Sequence, residues 1–169
     1  RSWPARREHY MKTKLQHALV ALSLVLVISC SKESDDSTVY PGAQNVTAME
    51  RELLDLVNAH RQTLGQTSLV FSNIAYEYAN AHTDYMISMG SLNHDNFSSR
   101  ASSISSKVAA KAVSENVARN HDTAAKAMDG WLQSESHKKT LEGNFTHTAI
   151  SIKKDSQGNL YYTQLFYLQ

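Results

Sequence analysis

HTAISIKKDSQGNLYYTQLFYL, residues 147–168, is the stretch that decides the fold class. From Thr148 it alternates: Ile150 and Ile152 fall on one side of an extended chain, and His147, Ala149 and Ser151 on the other. A turn-forming run, Asp155-Ser156-Gln157-Gly158-Asn159, interrupts it, and the pattern predicts two strands over about 147–154 and 160–168. His147 stands at the mouth of the first strand, on its small-residue face. Such a histidine can be a packed ring, a capping group or a ligand, and the chain upstream has to supply its partners.

Upstream the period changes from strand to helix. Leu53, Leu54, Val57 and Leu64 recur at helical spacing behind Thr47 and Glu50, a pair that fits a capping box, and Gly65 can stop the helix. A second helix is expected to open at Ser72 or Asn73 and end at Gly90, with Ile74, Tyr78, Ala81, Tyr85 and Met86 as its inward stripe. The Ser-rich stretch 91–111 reads as a loop with a short helix, and Val113 to Ala118 as a short strand or extended turn. Asp122 or Thr123 can cap a third helix running to about Gln133, with Ala127, Met128, Trp131 and Leu132 toward the core. Ser134 can begin one further turn that ends near Glu142-Gly143. Helices first and a hairpin last predict an α+β layered domain, and no internal repeat is visible.

The chain has 169 residues, 41% of them hydrophobic and 20% charged, which suits one globular domain. From Met11 it reads MKTKLQHALVALSLVLVISC: Lys12 and Lys14, then an apolar run, Ala18 to Ile28, of secretory-signal length and too short for a stable span. Met11 is the expected start, and residues 1–29 are expected to be a leader. Val27-Ile28-Ser29-Cys30 resembles the bacterial lipobox, so Cys30 is the expected lipidation site. A lipid tail gives the single cysteine a purpose that a free thiol in an oxidising compartment lacks. Residues 31–45 are polar, acidic and aperiodic and read as a tether, so the expected layout is leader 1–29, lipidated cysteine and tether 30–48, domain 49–169. The acidic residues after Cys30 resemble the signal that sends some Gram-negative lipoproteins to the cell surface, and the expected place is the outer membrane, surface-exposed. Without the leader the net charge is −3, with no basic face or aromatic-interleaved cluster, which argues against nucleic acid.

Six histidines follow Cys30. His82 lies four residues from both Tyr78 and Met86 and reads as a buried, hydrogen-bonded ring; His60 and His121 read as surface residues. His94, Glu115, His137 and His147 sit at element boundaries or in loops, where side chains can converge on a cleft. Imidazoles with a carboxylate suit zinc or another divalent cation, or a proton-transfer pair.

At these residues the chain resembles the CAP superfamily (cysteine-rich secretory proteins, antigen 5 and pathogenesis-related 1 proteins; SCP domains), in its cysteine-free bacterial branch. Asn58 and Arg61 match an N-x-x-R opening, and Ala79, His82 and Met86 an A-x-x-H-x-x-x-M helix. Leu92-Asn93-His94-Asp95-Asn96-Phe97 is similar to the SH-x-x-F loop, and Ser114-Glu115-Asn116-Val117-Ala118 to GEN[IL]A. Trp131, Ser134, His137 and Lys138 fit W-x-x-S-x-x-H-[RK], and Asn144 to Ile150 fits the strand entry NF/Y-T-H-x-G-[IV]. The resemblance implies a three-layer α-β-α sandwich around an antiparallel sheet. That would explain why Leu160, Tyr162 and Phe166 on one hairpin face are matched by Tyr161, Leu165 and Tyr167 on the other. It also implies a cleft holding His94 and His147, with Glu115 as one acidic residue, and in some members a divalent metal on the two histidines. The second acidic position falls at or beside Ser134, leaving open whether Glu135 replaces it; the same pattern implies that His137 lines the cleft wall. Ser114 and Ala149 stand where the family often has glycine, so mild strain is expected at Ser114 and a narrower cleft floor at Ala149. The expected function is an envelope-anchored binding module for an extracellular lipid, glycan or protein. The alternative is a metal-assisted, peptidase-like hydrolase with metal on His94 and His147 and Glu115 as general base.

Overall fold

The computed structural model describes residues 43–169. The leader, Cys30 and the tether up to residue 42 lie outside the described residues. In chain order the elements are α1 (Thr47–Thr63), β1 (Val70–Phe71), α2 (Asn73–Met89), α3 (Phe97–Val108), β2 (Ala112–Arg119), α4 (Ala124–Gln133), α5 (Glu135–Leu141), β3 (His147–Lys154) and β4 (Leu160–Leu168). The four strands form one sheet in the order β1-β3-β4-β2, antiparallel except for β1, which runs parallel to β3.

Both faces of the hairpin are covered, so its bulky residues are buried on both sides. Ile150, Ile152, Leu160, Tyr162 and Phe166 pack with Leu53 and Val57 of α1, Met128 and Trp131 of α4 and Leu141 of α5. On the opposite face Ala149, Leu165 and Tyr167 meet Ala75 and Ala79 of α2 and Ile104 of α3. The architecture is the expected α-β-α sandwich. Burying each large apolar side chain contributes about 1.5–3 kcal/mol, and with no cysteine after residue 30 this burial carries the fold without disulfides.

Two polar residues of the first helix brace the layers. Asn58 donates from Nδ2 to Leu69 O and accepts the Leu69 N–H, fixing the entry to β1. Arg61, only 2% exposed, donates to the carbonyls of Thr67, Leu141, Gly143 and Phe145. The Thr67 carbonyl precedes β1 and the other three lie between the end of α5 and β3, so Arg61 ties the two approaches to the sheet together, and without it the buried Leu141 carbonyl would lose this donor. The N-x-x-R spacing is therefore a structural brace.

Several local expectations are corrected. Val46, not Thr47, occupies the cap of α1, with no side-chain cap bond. Glu50 turns inward instead and accepts from the N–H of Ile152, from Asn45 and from Tyr76. Residues read as tether belong to the domain: Asn45 bridges Lys153, and the Val46 N–H donates to Ile152 O. The buried stripe of α2 is Ala75, Ala79, His82, Thr83 and Met86, rotated from the expected one, and Ala81 is exposed. Small residues let α2 lie close on the sheet, while Ile74 and Tyr78 pack at the flanks. Ser72 caps α2 by accepting from the Ala75 N–H, and Gly90, in the left-handed region at φ 62°, stops it. The Ser-rich stretch is a helix of 12 residues, since Arg100 and Ile104 give it a buried side that outweighs weak propensity. Ser114 carries no positive φ; it is an ordinary strand residue, and no strain arises there. Ala149 is fully buried beneath α2 and α3, in the helix–sheet contact.

Candidate functional site

β2 is an edge strand, and its successive residues serve the two layers in turn. Glu115 points toward α2 and α3, and Asn116 toward α5. Glu115 ends in a carboxylate whose side chain is 1% exposed. Arg100, from the inner side of α3, donates from Nη2 to Oε1 (2.9 Å) and from Nε to Oε2 (3.0 Å). His94, in the loop between α2 and α3, donates from Nδ1 to Oε1 at 2.8 Å while its own side chain is 52% exposed. The result is a buried carboxylate neutralised by a guanidinium fork and presenting a half-exposed imidazole to solvent.

The loop is held from beneath. Arg100 Nη1 donates to Asp95 O, and His82 Nε2 donates to Asn93 O at 2.9 Å. A carbonyl only accepts, so Nε2 carries the proton of the neutral ring, and Nδ1 is left buried without a partner. Burial pushes the His82 pKa down, with the Glu115 charge opposing. His82 is a support of the loop, as its helical setting suggested.

On the other side of β2, Asn116 donates to His137 O at 3.1 Å. His137 Nδ1 and Ser134 Oγ share a hydrogen bond of 2.7 Å at the start of α5. Burial lowers the His137 pKa, and the nearby His94 adds to the effect. Glu135 is exposed on the first turn of α5 and is not part of this group. No carboxylate among the described residues hydrogen-bonds His137, so the Ser134–His137 pair has no orienting acid.

His147 stands on the same face of the sheet as Glu115 and has partners of its own. Its ring stacks flat on Tyr167, with centroids 4.7 Å apart and planes 3° from parallel, and Nδ1 lies 2.8 Å from Thr146 Oγ1. The register sets His147 beside Tyr167 and Val113, whereas Glu115 lies beside Leu165 and Ala149. Two strand spacings and two residues separate their backbones by roughly 12 Å. The structure thus brings together His94 and Glu115, adds Arg100, and sets Ser134 and His137 across the same strand. None of the hydrogen bonds or ion pairs among the described residues joins His147 to them.

Glu115 is not open to a divalent cation, whereas Nε2 of His94 and Nε2 of His147 have no hydrogen-bond partner among the described residues. Arg100 occupies both carboxylate oxygens of Glu115, and His147 is engaged with Tyr167 by its ring face and with Thr146 by Nδ1. Among the described residues no group of three or more His, Cys, Asp or Glu side chains is placed to hold a metal ion.

Arg100 escaped the sequence reading. Its signal was available: it is the only basic residue between Gly90 and Lys107, and with Phe97, Ile104 and Val108 it recurs at helical spacing. A separate apolar cavity of about 350 Å³ was not foreseen either; Leu54, Phe71, Tyr76 and Ile150 line it, in the α1 layer.

Comparison with known proteins follows from this geometry. The profile of the cysteine-rich secretory protein family, CAP, matches residues 54–166. The membrane protein YlbC of Bacillus subtilis is 29% identical over 71% of this chain, and YkwD of the same organism 27% over 68%. The chain spans only 34% and 46% of the lengths of these two relatives. An SCP-domain extracellular protein of Bacillus anthracis superposes with a TM-score of 0.62 at 25% identity, over 73% of this chain and 41% of that one. An outer surface protein of Borrelia burgdorferi shares the fold at a TM-score of 0.66 and 15% identity, over 75% of this chain and 98% of that one. Profile, fold and motif order agree, and the chain belongs to the cysteine-rich secretory protein (CAP) family.

Proposed function

We propose that this domain is a binding module of the bacterial cell envelope, and that His94, on its Glu115–Arg100 base, is the centre of its binding surface. The observation that carries the reading is the buried fork-held carboxylate, which orients a solvent-facing imidazole. Packing could have been served by apolar residues of similar size, since buried ion pairs are weak stabilisers. What the pair adds is a ring held in one orientation with Nε2 free. Names of similar proteins, a membrane protein, an extracellular protein and an outer surface protein, support an envelope location. Anchoring is assigned to lipid on Cys30, a reading supported by the lipobox-like Val27-Ile28-Ser29-Cys30.

Binding is favoured over hydrolysis because Glu115 is already engaged by Arg100 and His94, which makes it a poor general base. The test is a screen of the purified protein against glycan, lipid-vesicle and peptide arrays, repeated with His94→Ala. A ligand lost with that change supports the reading; ligands that all ignore it refute it. Zinc calorimetry is the second arm. Stoichiometric zinc binding abolished by His94→Ala and by His147→Ala would overturn the metal-free arrangement.

A further inference from the structure

The free edge of β2 has a definite hydrogen-bonding polarity. Just past the strand, the Asn120 N–H donates to Leu160 O at 2.9 Å. Combined with the register from Ala112↔Leu168 to Arg119↔Tyr161, this orients every peptide group of the strand. Ala112, Ser114, Asn116 and Ala118 turn their N–H and C=O toward β4, while Val113, Glu115, Val117 and Arg119 turn theirs away from the sheet. Trp131 confirms the assignment, because its indole N–H reaches Val117 O from outside the ladder at 3.1 Å. That bond closes the edge at Val117. On the N-terminal side of it, none of the loop or side-chain hydrogen bonds among the described residues engages the outward groups of Val113 or Glu115. Solvent reaches them: Glu115 as a residue is 8% exposed while its side chain is only 1% exposed, so the accessible part is main chain.

We propose that an extended peptide segment of a partner protein adds to this edge as a fifth strand, pairing with Val113 and Glu115. The inference rests on the reading of His94 as the centre of the binding surface and names the class of ligand. Outward N–H and C=O groups repeating every two residues, about 6.8 Å, are matched by another extended backbone, whereas a glycan or an acyl chain has no such repeat. An added strand also alternates its side chains. Those on the Glu115 face point toward His94, and those on the Asn116 face toward His137 and Ser134. With Nδ1 held by Glu115, Nε2 is the ring nitrogen that faces the added strand, so the peptide residue on that face carries a polar side chain that can hydrogen-bond it, such as Ser or Thr.

The experiment selects linear heptapeptides from a displayed library on the purified protein. A selected peptide is then synthesised with a single backbone N-methyl group at each position in turn. Pairing predicts losses of about tenfold at alternate positions only. It also predicts a similar loss with Val113→Pro and none with Val113→Ala, which removes the same packing against the α2–α3 side but keeps the outward N–H; that N–H lies off the ladder, and an edge strand accepts proline there. Methylation losses without period two, or a Val113→Pro protein that binds like the parent, overturn the proposal, as does a library that yields no binder. Peptides that respond to His94→Ala but ignore Val113→Pro leave the His94 reading standing and remove the edge pairing. Peptides that respond to Val113→Pro but ignore His94→Ala uphold the edge and remove His94 from the site.

Discussion

Replacing Arg100 by Met strips Glu115 of its guanidinium and leaves a carboxylate, with its side chain 1% exposed, bonded only to His94. Arg100 is itself largely buried, its side chain 10% exposed, so solvent screens the pair little. Removing one partner of a buried pair costs about 3–5 kcal/mol, because the other charge is stranded. The hydrogen bond from His94 remains, which places the expectation near the lower end, about 3 kcal/mol. For a domain of this size that lowers the melting temperature by roughly 10–15 °C. Urea denaturation followed by fluorescence of Trp131, 2% exposed in the folded state, gives the number directly. The decisive variant is Arg100→Met with Glu115→Leu. Two apolar side chains now fill the space, no charge is stranded, and stability should return to within about 1–2 kcal/mol of the parent. A single Arg100→Met that loses less than about 1 kcal/mol, or a double variant as unstable as the two single losses added, refutes the ion-pair account.

Arg61→Met removes the side-chain donor from the carbonyls of Thr67, Leu141 and Phe145, while Gly143 O keeps the Phe145 N–H, and should cost about 3 kcal/mol, read by the same urea titration; a loss within about 0.5 kcal/mol would refute the brace. Stability should also fall with acid. His82 and His137 have folded pKa values below the ordinary 6.5, so below that pH the unfolded chain binds more protons; their contribution is complete above about pH 6.5 and is lost as pH falls through the folded values. Urea midpoints between pH 7.5 and 4.5 measure this, and midpoints that do not fall across that interval would refute it. At the membrane, Cys30→Ala should move the protein from the membrane fraction to the soluble fraction of cells; unchanged fractionation would refute lipid anchoring at that residue.

How much could be read without coordinates differs from element to element. The hairpin is legible because strand periodicity is local: its two strands need only alternation and a turn run, and their ends agree with the expected ones. Ser72, Thr123, Gly65 and Gly90 are legible for the same reason, since a helix end is recognised by the residue that terminates it. β1 is not: two residues carry no period, and Val70 and Phe71 are both exposed, so only pairing with β3 makes them a strand. Glu50 misled because a glutamate three residues after a threonine has two outlets, and only the neighbouring β3 backbone shows which it takes.

The sequence by itself determined the α+β class, the covered hairpin, the motif order that places the chain in its family, and His94 and Glu115 as candidates. Periodicity and residue type suffice for these, because each is written in neighbours along the chain. Tertiary structure alone decided that Arg100 holds Glu115, that His147 stacks on Tyr167, and that the outward groups of Val113 and Glu115 on β2 have no hydrogen-bond partner among the described residues. Those depend on strand order and on which side of each strand a residue faces, and they bring together groups that the chain keeps far apart.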